Sequence, residues 1–141
     1  MLGLALSLTV AALLALAASR RLGLFVVAGD SMRPNLKPGE WLLVRRYCSW
    51  EKPRTGEIVI LRQEEPPKVL VKRILAGPGE LPSPKLPLPA TPLSADQYLL
   101  AGDSLDLQGL PVWLGLAPRE QLWGKAVLVV RPHRRLSAER G

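Results

Sequence analysis

The feature that most constrains the fold is the N-terminal run MLGLALSLTVAALLALAA, which is mostly apolar and carries no charge. At a rise of 1.5 Å per residue, a helix through about Ser19 nearly spans the roughly 30 Å hydrocarbon core of a bilayer. A secretory signal peptide would have a basic segment before the run, and none is present here. Small residues in LALAAS resemble a cleavage site, so a removed signal is the alternative. We expect residues 1–21 to form an N-terminal membrane anchor.

Two arginines, Arg20 and Arg21, follow the apolar run, and no positive side chain precedes it. Cytoplasmic flanks of membrane helices carry an excess of Lys and Arg. The charge pattern alone therefore favours a cytoplasmic location for the rest of the chain.

After the anchor, short runs rich in Val, Ile and Leu alternate with turn signals that contain Pro, Gly or both. This pattern predicts strands, and the short separators favour antiparallel pairing. No later stretch keeps an apolar period of 3.6 residues, so no soluble helix is expected. We predict a mainly β domain of antiparallel sheets over residues 22–132 and a basic disordered tail over residues 133–141. The expected strands are residues 22–27, 40–47, 57–63, 68–76, 97–101 and 124–131.

Composition excludes several kinds of site. The single cysteine, Cys48, excludes an internal disulfide, and one cysteine with one histidine is too few for a zinc site of those ligands. The histidine, His133, lies in the basic tail, so a Ser-His-Asp triad is not expected. The net charge of +7 suits nucleic acid or lipid headgroups, but aromatics at 5% offer few surfaces for base stacking. We expect a lipid bilayer as partner, no nucleic acid, and no metal or cofactor.

Lys72 lies within KVLVKRILA, on the strand face that also carries Leu70 and Ile74. One interpretation is a lysine at a sheet edge or at the rim of the core. The other is a lysine whose pKa is lowered by burial, because desolvation disfavours the ammonium. A neutral lysine can take a proton from a serine, and Ser31 in AGDSMRPNLKPGE is the candidate. Ser31 is also explained as a turn hydroxyl, so the residues alone leave both interpretations open.

Three segments follow one another along the chain: GDSMRPNLKPGEWLLV, VKRILAGPGE and YLLAGDSLDLQGLPVWLGLAPREQLWGKA. In this order they resemble the sequence boxes of type I signal peptidases and their mitochondrial inner-membrane relatives. The first resembles the serine box, the second resembles the lysine box, and the third resembles a box that begins with Gly-Asp and ends with Gly-Lys/Arg-Ala. The resemblance covers about residues 27–132, behind one hydrophobic helix. It implies a mainly β, signal-peptidase-like domain of antiparallel sheets behind one N-terminal transmembrane helix.

Carried over residue by residue, the resemblance implies that Ser31 is the nucleophile and Lys72 the general base of an acyl-transfer reaction. It also implies that Met32 lines the substrate cleft, beside Gly29 and Asp30. Many bacterial members place a hydroxyl donor at the position of Gly29, so the second oxyanion donor is unassigned here. The residues expected to have structural roles near the site are Arg73, Gly102, Asp103 and Gln108.

The third segment departs from the family pattern. Where the family has a Ser-x-Asp-Ser-Arg run, this chain has Gln108, Leu110, Pro111 and Val112. The usual polar support for the lysine is therefore missing. A divergent enzyme with a more apolar lysine pocket and a catalytically dead homologue both remain open. Because the serine and the lysine are both present, we favour the enzyme.

We therefore predict a single-pass, membrane-anchored serine endopeptidase that cleaves leader peptides of pre-proteins or propeptides after small residues. The resemblance places the catalytic domain on the extracytoplasmic side, against the charge bias described above. One alternative is a dedicated propeptide-maturation protease of the nickel superoxide dismutase type, which the compact length also fits. The others are a catalytically dead homologue that binds leader peptides and a basic β domain that binds nucleic acid.

Overall fold

A computed structural model of the protein describes residues 1–132. The predicted tail, residues 133–141 with His133, lies outside the described residues. Within residues 1–132 the chain forms one long helix, seven strands and one short 3-10 helix. Their bounds are α1 Leu2–Ser19, β1 Leu22–Val26, β2 Trp41–Arg46, β3 Ile58–Gln63, β4 Lys68–Ala76, β5 Gln97–Ala101, β6 Leu114–Pro118, the 3-10 helix Arg119–Gln121, and β7 Leu122–Val130.

Helix α1 is apolar around its whole circumference, and none of its side chains is buried against protein. Its length and composition are sufficient for it to cross a membrane. A helix that is apolar on every face is stabilised by apolar surroundings such as a bilayer. The predicted N-terminal apolar helix, with its end at Ser19, is confirmed. By composition it is either a membrane anchor or a signal sequence.

The strands form one antiparallel sheet in the order β1-β2-β7-β3-β4-β5-β6. The prediction of a mainly β domain is therefore confirmed. The final strand of the described chain lies in the middle of the sheet, because β7 pairs with β2 on one side and with β3 on the other. Trp41 is opposite Val130 in the first pairing, and Ile60 is opposite Gly124 in the second.

Strand β6 was not among the predicted strands. Its sequence LGLAP contains Gly115 and Pro118, and both residue types are depleted in strands. The strand forms at the sheet edge because β5 supplies backbone partners, with Leu99 opposite Leu116. Edge strands tolerate such residues, since one side of their backbone needs no partner in the sheet.

The sheet carries an apolar cluster on each face, and β3 contributes to both. Val59 and Leu61 belong to the first cluster, whereas Ile60 belongs to the second. This alternation follows from the two-residue period of a strand. The second cluster also contains Met32 and Leu36, from the connection between β1 and β2. The segment that carries Ser31 is therefore fixed to the core by the residue directly after it.

Candidate active site

Ser31 and Lys72 are 41 positions apart in sequence, and the fold brings their functional atoms together. The Lys72 Nζ lies 2.7 Å from the Ser31 Oγ, within hydrogen-bond distance. Strand β4 supplies the lysine, which pairs with Val59 of β3 and is only 3% exposed. The connection between β1 and β2 supplies the serine. The site thus joins a buried amine to a half-buried hydroxyl.

The surroundings of Lys72 disfavour its charged form. Burial lowers the pKa of Lys72, and the positive charge of Lys68 lowers it further. Within residues 1–132 no carboxylate forms a salt bridge with Lys72. The nearest ring is that of Trp113, whose centroid lies 4.5 Å from Nζ. A lysine in this environment is neutral at a lower pH than a lysine in water, so it can accept a proton from Ser31.

The Ser31 loop is held from behind by the start of the third segment. The Ser104 N–H donates to the Ser31 carbonyl at 2.9 Å, and the Ser104 hydroxyl donates to the carbonyls of Asp30 and Arg33. Gly102 packs even closer, because a Cβ at that position would lie 2.4 Å from the Ser31 carbonyl oxygen. Only glycine allows this approach of the two backbones.

Arg73 and Asp103 connect β4 to the same loop. The guanidinium donates to both carboxylate oxygens at 2.8 Å, and Arg73 also donates to the Gly56 carbonyl. Asn35 donates to the carboxylate from the Ser31 side, at 2.8 Å. Burial alone would raise the pKa of Asp103, but the hydrogen bonds from Arg73 and Asn35 outweigh it and lower that pKa. This ionised carboxylate links the three segments around the dyad.

The other predicted site residues lie in different environments. Gly29, with a φ of +83°, and Asp30 are exposed at the start of the loop, and Asp30 pairs with Arg33. Met32 is 1% exposed, so its side chain lies in the core beneath the loop and not on an open cleft surface. Gln108 is exposed in a turn, where its backbone N–H donates to Asp106.

Sequence reasoning did not select Ser104, Asn35 or Trp113 for the site. No role at the site was predicted for any of the three. Each acts through a contact between residues distant in sequence, such as the 68 positions between Asn35 and Asp103. The sequence feature that could have pointed to them is their position within the serine box and the third box.

Comparison with known protein families matches residues 1–81 to the family described as signal peptidase, peptidase S26. The match spans more than half of the 141 residues and includes both Ser31 and Lys72. No curated protein matches the chain. The family consists of membrane-associated peptidases, and its name implies protein substrates with leader peptides. The chain therefore belongs to the signal peptidase family, peptidase S26.

Proposed function

We propose that this protein is a serine endopeptidase that removes N-terminal leader peptides, with Ser31 as nucleophile and Lys72 as general base. The observation that carries the proposal is the 2.7 Å contact between the Lys72 Nζ and the Ser31 Oγ. A serine hydroxyl is a weak nucleophile until a neighbouring base removes its proton. The buried amine is the basic side chain in hydrogen-bond contact with that hydroxyl among the described residues.

The reaction proceeds in two acyl-transfer steps. The Ser31 Oγ attacks the scissile carbonyl carbon while its proton passes to Lys72. The resulting ammonium protonates the departing amine, and an ester between Ser31 and the leader remains. Water then attacks this ester, gives a proton to Lys72 and releases the leader carboxylate, and Lys72 returns the proton to Ser31.

The oxyanion of each tetrahedral intermediate needs hydrogen-bond donors. The backbone N–H of Ser31 makes no hydrogen bond to another group within residues 1–132, and we assign it to this role. Gly29 has no side chain to donate, so the second donor comes from elsewhere. An extended leader would lie along the exposed backbone of Gly29 and Asp30, above the buried Met32.

The proposal is tested with the full chain in detergent micelles and a leader peptide that has alanines before its cleavage site. Mass spectrometry is expected to show one cut, after a small residue. The control is the same peptide with phenylalanine directly before the cut, which is expected to remain intact. Binding of alanine-containing leaders without cleavage would identify a leader-binding homologue and contradict the proposal.

We also propose that α1 remains as a single-pass anchor and that the sheet lies on the extracytoplasmic membrane surface. Only Arg20 and Arg21 separate α1 from β1, so the sheet begins at the end of the helix. One face of strands β1 and β2 carries apolar side chains that lie opposite each other, with Leu24 opposite Leu43 and Val26 opposite Trp41. A large exposed apolar patch marks an interaction surface. This apolar face consists of Leu22, Leu24, Val26, Trp41, Leu43, Leu128 and Val130.

Contact between the apolar face and lipid predicts a change in tryptophan fluorescence. Trp41 is 44% exposed on that face, whereas Trp50 is 76% exposed in the connection between β2 and β3. In vesicles with brominated acyl chains, Trp41→Phe is expected to remove most of the quenchable emission. Trp50→Phe, the matched control, is expected to retain it. Equal quenching in the wild type and Trp41→Phe would contradict lipid contact by this face.

A further inference from the structure

Trp113 covers the amine of Lys72 from the side of β6. The ring centroid lies 4.5 Å from the Lys72 Nζ, within the range of a cation–π contact. The ring is half-buried and packs against the apolar cluster that contains Val59 and Ile74. The Lys72 amine thus contacts both the Ser31 hydroxyl and an aromatic face.

Two backbone features hold this ring in place. The Gly102 N–H donates to the Trp113 carbonyl at 3.0 Å, which connects Trp113 to the glycine that packs on Ser31. Gly115 leaves room for the ring, because a Cβ there would lie 2.9 Å from a ring carbon of Trp113. The position of the ring is therefore coupled to the loop that carries the nucleophile.

Proton transfer from Ser31 creates an ammonium that lacks ordinary polar support. An ammonium has three N–H groups, and the hydrogen bond that Lys72 forms within residues 1–132 is the one to Ser31. At the positions where the family resemblance implies polar support, this chain has Leu110 and Val112, whose side chains cannot accept a hydrogen bond. A buried charge without partners is costly. The negative face of an aromatic ring stabilises a cation and reduces that cost.

We propose that Trp113 is a positioning residue for the general base, which holds Lys72 against Ser31 and stabilises its ammonium through the aromatic face. The inference rests on the proposed dyad mechanism. In this chain the ring replaces the polar run of the third box, so the apolar lysine pocket is compatible with catalysis. Core packing alone would not require an aromatic ring over the Lys72 amine.

The charged groups around Lys72 also influence its pKa. Lys68 lies on the same strand, and its charge lowers the pKa of Lys72. The other groups lie on the elements packed around the site, and substitution of Trp113 removes none of them. They are the Arg73–Asp103 pair, the Asp30–Arg33 pair and Lys125, which is opposite Val59 on β7.

The test compares three substitutions in the full chain in micelles, with kcat measured against pH for the leader peptide. Trp113→Leu keeps an apolar cover without an aromatic face, and kcat is expected to fall about 2- to 30-fold. The acidic limb of its kcat–pH profile is expected to move about 0.4 to 1.5 pH units lower, because the ammonium of Lys72 loses stabilisation. Trp113→Phe is expected to restore most of both. Trp113→Ala admits water to the lysine, so the acidic limb of its kcat–pH profile is expected to move to higher pH.

A second measurement does not depend on cleavage. Carbon-13 labelling of lysine side chains allows the pKa of Lys72 to be followed by NMR in the wild type and in Trp113→Leu. A lower pKa in the leucine variant supports the role of the ring even if no substrate is cut. An unchanged Lys72 pKa in a folded Trp113→Leu protein overturns the inference. Cleavage that survives the loss of Ser31 or Lys72 overturns the proposed function instead.

Discussion

Replacing Lys72 with methionine is expected to lower kcat by about 10³-fold or more, because the nucleophile loses its base. Methionine keeps the apolar stem that packs beside Val59 and removes only the amine. Lys72→Arg is expected to be equally inactive, since a guanidinium does not lose its proton in proteins. Ser31→Ala is expected to show the same loss. The measurement is single-turnover cleavage of the leader peptide by each purified variant.

The matched control is Lys68→Ala, an exposed lysine on the same strand. It is expected to change kcat only a few-fold, since Lys68 acts on Lys72 only through its charge. Full activity in Lys72→Met would show that another base serves Ser31.

The pH dependence follows from the direction of the Lys72 shift. Burial lowers the pKa of Lys72, so the amine becomes neutral, and activity rises, at a lower pH than for a lysine in water. Between the folded and unfolded pKa values the unfolded chain binds more protons, so stability increases with pH in that window. Removal of the amine relieves this penalty at neutral pH, and Lys72→Met is therefore expected to remain folded.

Replacing Gly102 with alanine is expected to reduce kcat by about 10²-fold and to destabilise the domain by about 1–3 kcal/mol. The added methyl would lie 2.4 Å from the Ser31 carbonyl oxygen and 3.3 Å from the Ser31 Cβ. The two backbones must therefore separate, which moves the hydroxyl away from Lys72. The measurements are kcat and the thermal midpoint of unfolding.

Gly77→Ala is the control for this substitution. The nearest atom to a Cβ at Gly77 is a Glu80 carboxylate oxygen at 3.4 Å, an ordinary contact. This variant is expected to keep nearly wild-type activity and stability. A Gly102→Ala protein with wild-type kcat would show that the packing of this loop does not position Ser31.

Local sequence was sufficient to predict most of the strands but not their arrangement in the sheet. The run KVLVKRILA is bounded by Pro- and Gly-containing turns, and β4 has the predicted limits Lys68–Ala76. Strand β6 is different, because LGLAP becomes a strand only when β5 is beside it. The insertion of β7 between β2 and β3 depends on pairing between residues far apart in sequence, for which local composition carries no signal.

The candidate site also contains residues that the sequence could predict and residues that it could not. Turn chemistry alone leaves Ser31 as a loop hydroxyl, and the likeness of three segments to a family was needed to connect it to Lys72. Trp113 is beyond both kinds of reasoning. Its contact with the amine depends on the space left by Gly115 and on a departure from the family pattern, and only the folded structure reveals it.

The central position of β7 has a consequence for the order in which the sheet can form. Ser31 belongs to the side of the sheet with β1 and β2, and Lys72 belongs to the side with β3 to β6. Among residues 1–132, β7 is the strand whose ladder joins these two halves. The ribosome therefore makes the serine and the lysine long before it makes the strand that completes the sheet. We therefore expect the two halves of the sheet to lack their connecting ladder in a nascent chain until residues 122–130 have been synthesised.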